Sequence, residues 1–376
     1  MRILHCVRAP IGGIFRHIED LAREQAAAGH EVGVICDSAT GGAFEDSHIA
    51  ALRPSLALGV TRLPMRRQIS PADALAARRM LATVSALKPD VLHGHGAKGG
   101  AYARLIGTWL NRRRPVGRFY APHGGSLHHD PKSASGRAYF AIERGLERLS
   151  DGLVFVSGYE KGVYAAAIGA PRVATTEVRN GLRPAEFEPV APAPDAVDFL
   201  FVGMMRDIKG PDVLLAALKE LETRHGRRAS ALFVGDGPDR ARYVALAAEL
   251  GLGARVRFQA PTPARKAFAA ARAVVVPSRN ESSPYIVLET VAAGMPIVAT
   301  AVGGIPEILA PEADRLVPPG DAARLADALA AILADPAATA SAAAARRAYF
   351  QRRHTLAGMA RRITEFYLAA RPDLAA

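Results

Sequence analysis

The chain has 376 residues, 49% of them hydrophobic and 22% charged, which excludes a chain disordered throughout and predicts two packed domains. Only two cysteines are present, Cys6 and Cys36, so a disulfide framework and a multi-cysteine zinc site are excluded and a reducing, cytoplasmic setting is expected. The formal net charge is +12, carried mainly by the first half, and residues 51–118 alone hold 13 basic against 2 acidic side chains. In chain order, strand Ile3–Val7 leads through a loop ending at Gly12-Gly13 into an amphipathic helix, stopped by Gly29, and then strand Val32–Cys36. Further strands are predicted at Val91–His93, Arg118–Ala121, Leu153–Val156 and Val173–Val178. This alternation predicts a doubly wound parallel sheet over residues 1–180. Residues 181–197 contain four prolines and no periodicity, so they are read as an interdomain linker. Alternation resumes at Phe199–Val202, Leu232–Val234, Val256–Gln259, Val274–Val276 and Ile297–Thr300, which defines a second Rossmann-like domain over residues 198–353. Residues 354–376 are expected to form a helix that packs back on the N-terminal domain. The start MRILHCVRAP is too short in apolar residues for a secretion signal, and no run is long enough to span a membrane.

The most informative segment is VVVPSRNESSPYIVLETVAAGMPIVATAVGGIPE, residues 274–307, which reads as strand, loop, helix, strand. Ser283 suits an N-cap, Pro284 the first helical position and Gly294 the stop, so a helix is predicted over 284–293. Its N-terminus lies beside the C-terminal end of a strand, where α/β sheets place ligands and where backbone N–H groups favour phosphate. Glu281 in the loop and Glu289 in the helix, eight positions apart, reach different parts of one ligand. The plain alternative is a helix-dipole partner and a solvated helix carboxylate.

With its surrounding Pro-Ser, E-S-x-P, A-x-G-x-P-I-V-A and Gly303-Gly304-x-Pro306-Glu307 elements, this segment resembles the E-x7-E signature of retaining glycosyltransferases of family 4. The resemblance implies an α/β GT-B fold, two Rossmann-like doubly wound domains facing each other across a cleft. It places Glu281 at the donor sugar, Glu289 at the ribose, and Ser283, Tyr285, Ile286 and Val287 along the donor-binding helix start. Phe201-Val202-Gly203-Met204-Met205-Arg206-Asp207-Ile208-Lys209-Gly210 resembles the family's F-x-G-R-L-x-x-x-K-G loop, which implies that Lys209 holds the donor diphosphate near Gly203. Met204 stands where the family has arginine, and Arg206 is assigned as the replacement, the alternative being a solvated loop charge. Gly235-Asp236-Gly237-Pro238 resembles the base-side G-D-G-P turn, Gly12-Gly13 the donor-facing glycine loop, and His123 the histidine that lies against the donor sugar. Ser157, Tyr159 and Glu160 resemble the V-S-x-x-E segment and read as a capping box.

His93-Gly94-His95 offers two imidazoles with no third ligand identifiable in the sequence, so no zinc is expected. No Asp-x-Asp occurs, so no metal is expected at the diphosphate and no cofactor is called for. The resulting expectation is a metal-independent enzyme moving a sugar from a UDP- or GDP-sugar to a hydroxyl of a glycan or lipid-linked acceptor, in cell-surface polysaccharide synthesis. The alternatives are a sugar-nucleotide 2-epimerase of the same fold and a basic nucleic-acid-binding protein; no nucleic-acid recognition motif accompanies the charge. Residues 51–118, with Arg66-Arg67, Arg78-Arg79 and Arg112-Arg113-Arg114, read either as a contact surface for an anionic membrane on the cytoplasmic side or as arginine replacing lysine throughout the chain.

Overall fold

A computed structural model describes residues 1–66 and 72–374; Arg67, one of the basic pair named above, lies outside the described residues. The chain divides into two compact units, residues 1–181 with 356–376, and residues 182–355. The first unit is a seven-stranded parallel sheet of β1 (Arg2–Val7), β2 (Glu31–Asp37), β3 (Gly59–Leu63), β4 (Val91–His95), β5 (Gly117–Ala121), β6 (Gly152–Phe155) and β7 (Ala174–Glu177). Its order is β3-β2-β1-β4-β5-β6-β7, so the winding direction reverses between β1 and β4. Strand β3 was not anticipated: GVTRL is short and only partly buried at the sheet edge, and carries little apolar pattern.

Helix Gly12–Ala27 buries Phe15, Ile18, Leu21 and Ala22, the three- and four-residue spacing that puts one stripe against the sheet. Helix Leu356–Ala370 presents Leu356, Met359, Ile363 and Tyr367 to the same core cluster and packs beside helix Gly12–Ala27. Each such side chain taken fully from water contributes about 1.5–3 kcal/mol.

The second unit is a five-stranded parallel sheet of β8 (Val197–Val202), β9 (Ala231–Val234), β10 (Val256–Gln259), β11 (Ala271–Val276) and β12 (Ile297–Ala299), in the order β10-β9-β8-β11-β12. Here the reversal falls between β8 and β11. The segment read as a linker, 181–197, is instead largely part of this unit. Phe187 and Val197 are buried in its core, Val190 packs against it, and the Val190 and Ala193 N–H groups donate to the carbonyls of Ala293 and Ala269. Prolines erased the periodicity without preventing the segment from docking.

The basic excess of residues 51–118 also changes in three dimensions. Arg104 is fully buried against Glu143, Arg118 pairs with Asp151, Arg62 with Asp46 and Lys98 with Asp73. Three of those four acids lie outside the counted segment, so counting along the chain overstated the surface charge. Arg53, Arg66, Arg78, Arg79, Arg112 and Arg113 remain exposed. Among the described residues no single helix is long and apolar enough to cross a membrane.

Candidate functional site

Strands β8 and β11 are neighbours, and the loops that leave their C-terminal ends carry the residues singled out above. After β8 the chain passes Gly203 to Arg206, makes a short turn over Asp207–Lys209, takes a left-handed residue at Gly210 and enters helix Pro211–His225. After β11 it passes Pro277 to Pro284 and enters helix Tyr285–Ala292. This is the switch point at which open α/β sheets leave a crevice.

Lys209 Nζ lies 2.6 and 2.8 Å from the two carboxylate oxygens of Glu281, a bifurcated charge-assisted contact. The Glu281 side chain is 8% exposed and that of Lys209 32%, so the carboxylate is covered and the ammonium can still reach solvent. Ser278 Oγ donates to Glu281 Oε1 at 2.8 Å, and Thr300 Oγ1 donates to the Ser278 carbonyl at 2.6 Å. These contacts hold the carboxylate in one place.

The two loops are bound together by Arg279. Its N–H donates to the Ile208 carbonyl at 2.8 Å, and its guanidinium reaches the Asp207 carbonyl and, bidentately, the Asp212 carboxylate. Burial pushes the Asp212 carboxyl up, but the hydrogen bond and charge of Arg279 outweigh it and leave it below the usual carboxylate range. Close approach explains two glycines. A Cβ on Gly210 would fall 2.1 Å from the Pro277 carbonyl oxygen, and one on Gly303 would fall 1.7 Å from the Glu281 carbonyl oxygen. Gly304 N–H donates to the Ser282 carbonyl at 2.9 Å, completing the cradle under Glu281.

In the first unit the corresponding switch point, at β1 and β4, collects histidines. His5 on β1 is the register partner of His93 on β4, and His95 follows on the same face. His17 comes from helix Gly12–Ala27, and His123 from the turn after β5. His95 Nδ1 and His123 Nε2 are 3.0 Å apart, as are His5 Nδ1 and His95 Nε2. His123 has a backbone φ of 49°, uncommon for a side-chain-bearing residue, and its loop is pinned where the Gly124 N–H donates to Glu160 Oε1 at 2.6 Å. Burial holds these imidazoles neutral: it lowers His5 and His17 to about 4, and His93, His95 and His123 well below the usual histidine value.

Residues 12–181 match the model of the glycosyl transferase 4-like domain, and residues 196–335 that of glycosyl transferases group 1. The chain is built from two glycosyltransferase domains. A D-inositol 3-phosphate glycosyltransferase of Frankia alni is 43% identical over 151 residues, which are 36% of this chain and 37% of that protein, so the chain spans little more than a third of its length. A glycogen synthase of Mycobacterium tuberculosis is 27% identical over 382 residues, 96% of this chain and 92% of that one. Among solved structures, Anabaena Alr3699/HepE in complex with UDP-glucose superposes with a TM-score of 0.80 at 19% identity, covering 98% of this chain and all of that one. The architecture is the GT-B fold, with two parallel α/β sheets.

Within these glycosyltransferase domains, the predicted site residues fall into separate groups. Lys209 and Glu281 are in direct contact, and Gly203, Gly235 and Asp236 lie together, with the Met205 N–H donating to the Asp236 carbonyl and the Gly203 N–H to that of Val234. Gly12 and Gly13 open their helix exposed, as expected. Arg206 is half-buried and makes no ion pair among the described residues, with Met204 exposed beside it.

Other assignments need correction. Helix 285–292 begins one residue later than predicted, with Pro284 rather than Ser283 at the N-cap, because proline's restricted backbone sits here in the extended region. Tyr285 and Val287 point into the core, so only their main chain can meet a ligand; Ile286 is half-buried, and Glu289 lies in the second turn. Glu160 does more than cap: its N–H bonds Ser157 Oγ, while its carboxylate accepts the Val156 and Gly124 N–H groups.

Sequence reasoning missed Ser278, Arg279, Asp212 and Thr300, and the partners His5, His17 and Gln25. Arg279, two residues before Glu281 in the same loop, was a signal within reach. The histidines had none, since they come from separate elements.

Proposed function

We propose that the protein is a retaining family 4 glycosyltransferase that moves a sugar from a UDP- or GDP-sugar to a hydroxyl of a glycan or lipid-linked acceptor in cell-surface polysaccharide synthesis. The observation that carries this reading is the Lys209–Glu281 pair at the β8/β11 switch point, inside the segment matched by the group 1 model. The UDP-glucose complex of Anabaena HepE supports a nucleotide-sugar donor.

The pair explains how donor binding prepares the site. Before binding, Lys209 neutralises a covered carboxylate, which would otherwise be costly to keep ionised. An incoming diphosphate competes for the same ammonium, and the partly exposed Lys209 turns to its oxygens. Glu281, held by Ser278, then faces the sugar, whose developing positive charge replaces the cation it has lost. Arg206, with no ion pair among the described residues, adds a second cation to the diphosphate in the place of the family's arginine at Met204. The main chain of Ser283 to Val287 and the turn at Gly203, Gly235 and Asp236 receive the nucleotide. Glu289 takes the ribose hydroxyls, and no metal is needed at the diphosphate.

A thermal-shift panel of UDP-, GDP- and ADP-sugars tests the donor class, since a ligand at 100 times its Kd adds about 2.7 kcal/mol of stability. Proton NMR of the product's anomeric signal tests retention. No shift with any UDP- or GDP-sugar, or an inverted anomer, would overturn the reading. The exposed Arg78, Arg79, Arg112 and Arg113 serve an anionic acceptor or leaflet on the cytoplasmic side.

A further inference from the structure

We propose that His17, His95 and His123 form a three-imidazole site for a divalent transition cation of zinc-like softness. One ligating nitrogen from each lies within 4.8 Å of the others, so the triad supplies the third imidazole that the His93-Gly94-His95 pattern lacked. The proton placement is dictated from outside the triad. Gln25 Oε1 lies 2.8 Å from His5 Nε2, and its amide nitrogen reaches Thr364 Oγ1 at 3.4 Å. His5 therefore donates through Nε2 and, being neutral, accepts through Nδ1. Its neighbour His95 Nε2, 3.0 Å away, donates to it, and this leaves a lone pair on His95 Nδ1. By the same logic His17 Nδ1, 3.0 Å from Asn180 Oδ1, donates there and leaves a lone pair on Nε2. That buried Nε2 has no hydrogen-bond partner among the described residues. Two of the three nitrogens are thus presented as ligands by an outer shell of the kind that orients metal-bound histidine.

The third nitrogen, His123 Nε2, shares a proton with His95 Nδ1 when no ion is present. Binding moves that proton to His123 Nδ1 and frees the third lone pair, with no net proton release. Three neutral nitrogens and no carboxylate favour zinc, nickel, copper or cobalt over magnesium or calcium. The competing group His5, His93 and His95 is wholly buried, whereas His123 is half-buried and gives an ion a way in. The site lies within one unit and its test reads metal uptake rather than sugar transfer, so its failure and that of the proposed activity can be told apart.

The test is calorimetric titration of the chelator-stripped full chain with zinc, alongside cobalt followed by visible absorption. Saturable uptake of one equivalent with a raised unfolding temperature is expected. His17→Gln and His123→Gln should each weaken uptake at least tenfold, and Asn180→Leu by about 10- to 100-fold. His123 lies in a turn, so its variant stays folded even where His17→Gln does not, which far-UV circular dichroism checks. No saturable uptake, uptake indifferent to His123→Gln, or uptake abolished only by changes at His5 and His93 would each overturn the assignment.

Discussion

The two units solve the same architectural problem with opposite chemistry. Each reverses its strand order once, and each gathers polar side chains where the reversal leaves a crevice. In the first unit these are neutral imidazoles, mostly buried and bonded to one another, to Gln25, to Asn180 and to Tyr367. In the second they are ions: Lys209 with Glu281, and Arg279 with Asp212. The difference follows from burial. Burial favours groups able to shed their charge unless an opposite charge is at hand, whereas a partly open crevice can hold charge that a ligand will later exchange.

Acidification separates the two most strongly. His5 and His17 titrate near 4 when folded and near the ordinary histidine value when unfolded, so between those values the unfolded chain binds more protons. Stability is complete above about 6.5 and falls as pH drops towards 4, by several kcal/mol on the order-of-magnitude rule of about 1.4 per pKa unit. Chemical denaturation from pH 7 to pH 4.5 should therefore show the first unit unfolding at much lower denaturant. Equal losses in both units would mean that the histidines are not buried neutral.

In the second unit, Glu281→Gln should lower kcat about 10²- to 10³-fold at saturating donor, because the charge is lost where positive charge develops. Lys209→Ala should cost about 2–3 kcal/mol in kcat/KM and raise donor KM, because it strands a covered carboxylate as well as losing the diphosphate partner. Arg206→Ala should have a smaller effect on the same readout. Chelation by EDTA should leave nucleotide binding unchanged, and loss of binding restored by magnesium or manganese would make the ionic character of this crevice irrelevant to the diphosphate.

Arg279→Ala removes the strut between the two loops and should cost about 1 kcal/mol of stability and a few-fold in donor affinity. Asp212→Asn should act the same way near neutral pH and cease to matter in acid. Its carboxyl is lowered in the folded state, so its contribution is present above the unfolded carboxylate value and disappears as pH falls through the folded one. The smallest effect is expected at the surface. Reversing Arg78, Arg79, Arg112 and Arg113 to Glu should weaken sedimentation with anionic vesicles by roughly 1 kcal/mol per residue, without changing nucleotide binding. Unaltered sedimentation would leave those arginines as solvated charge.

Local pattern was enough for much of this molecule. Strand and helix alternation, the glycine stops and the spacing of Glu281 from Glu289 are properties of short stretches, and they carried the two-domain α/β reading and the second-unit loops. Lys209 and Glu281 could each be named from their own motifs. That they touch, 72 residues apart in the chain, depends on β8 lying beside β11. Tertiary structure alone decided the rest: it drew Asp46, Glu143 and Asp151 onto arginines that looked unopposed, docked the proline-rich segment onto the second unit, and brought His5, His17, His95 and His123 to one place. A sequence records which groups exist and how they alternate, but burial and proximity between distant segments set their charge and their partners, and those arise only when the sheet closes its order.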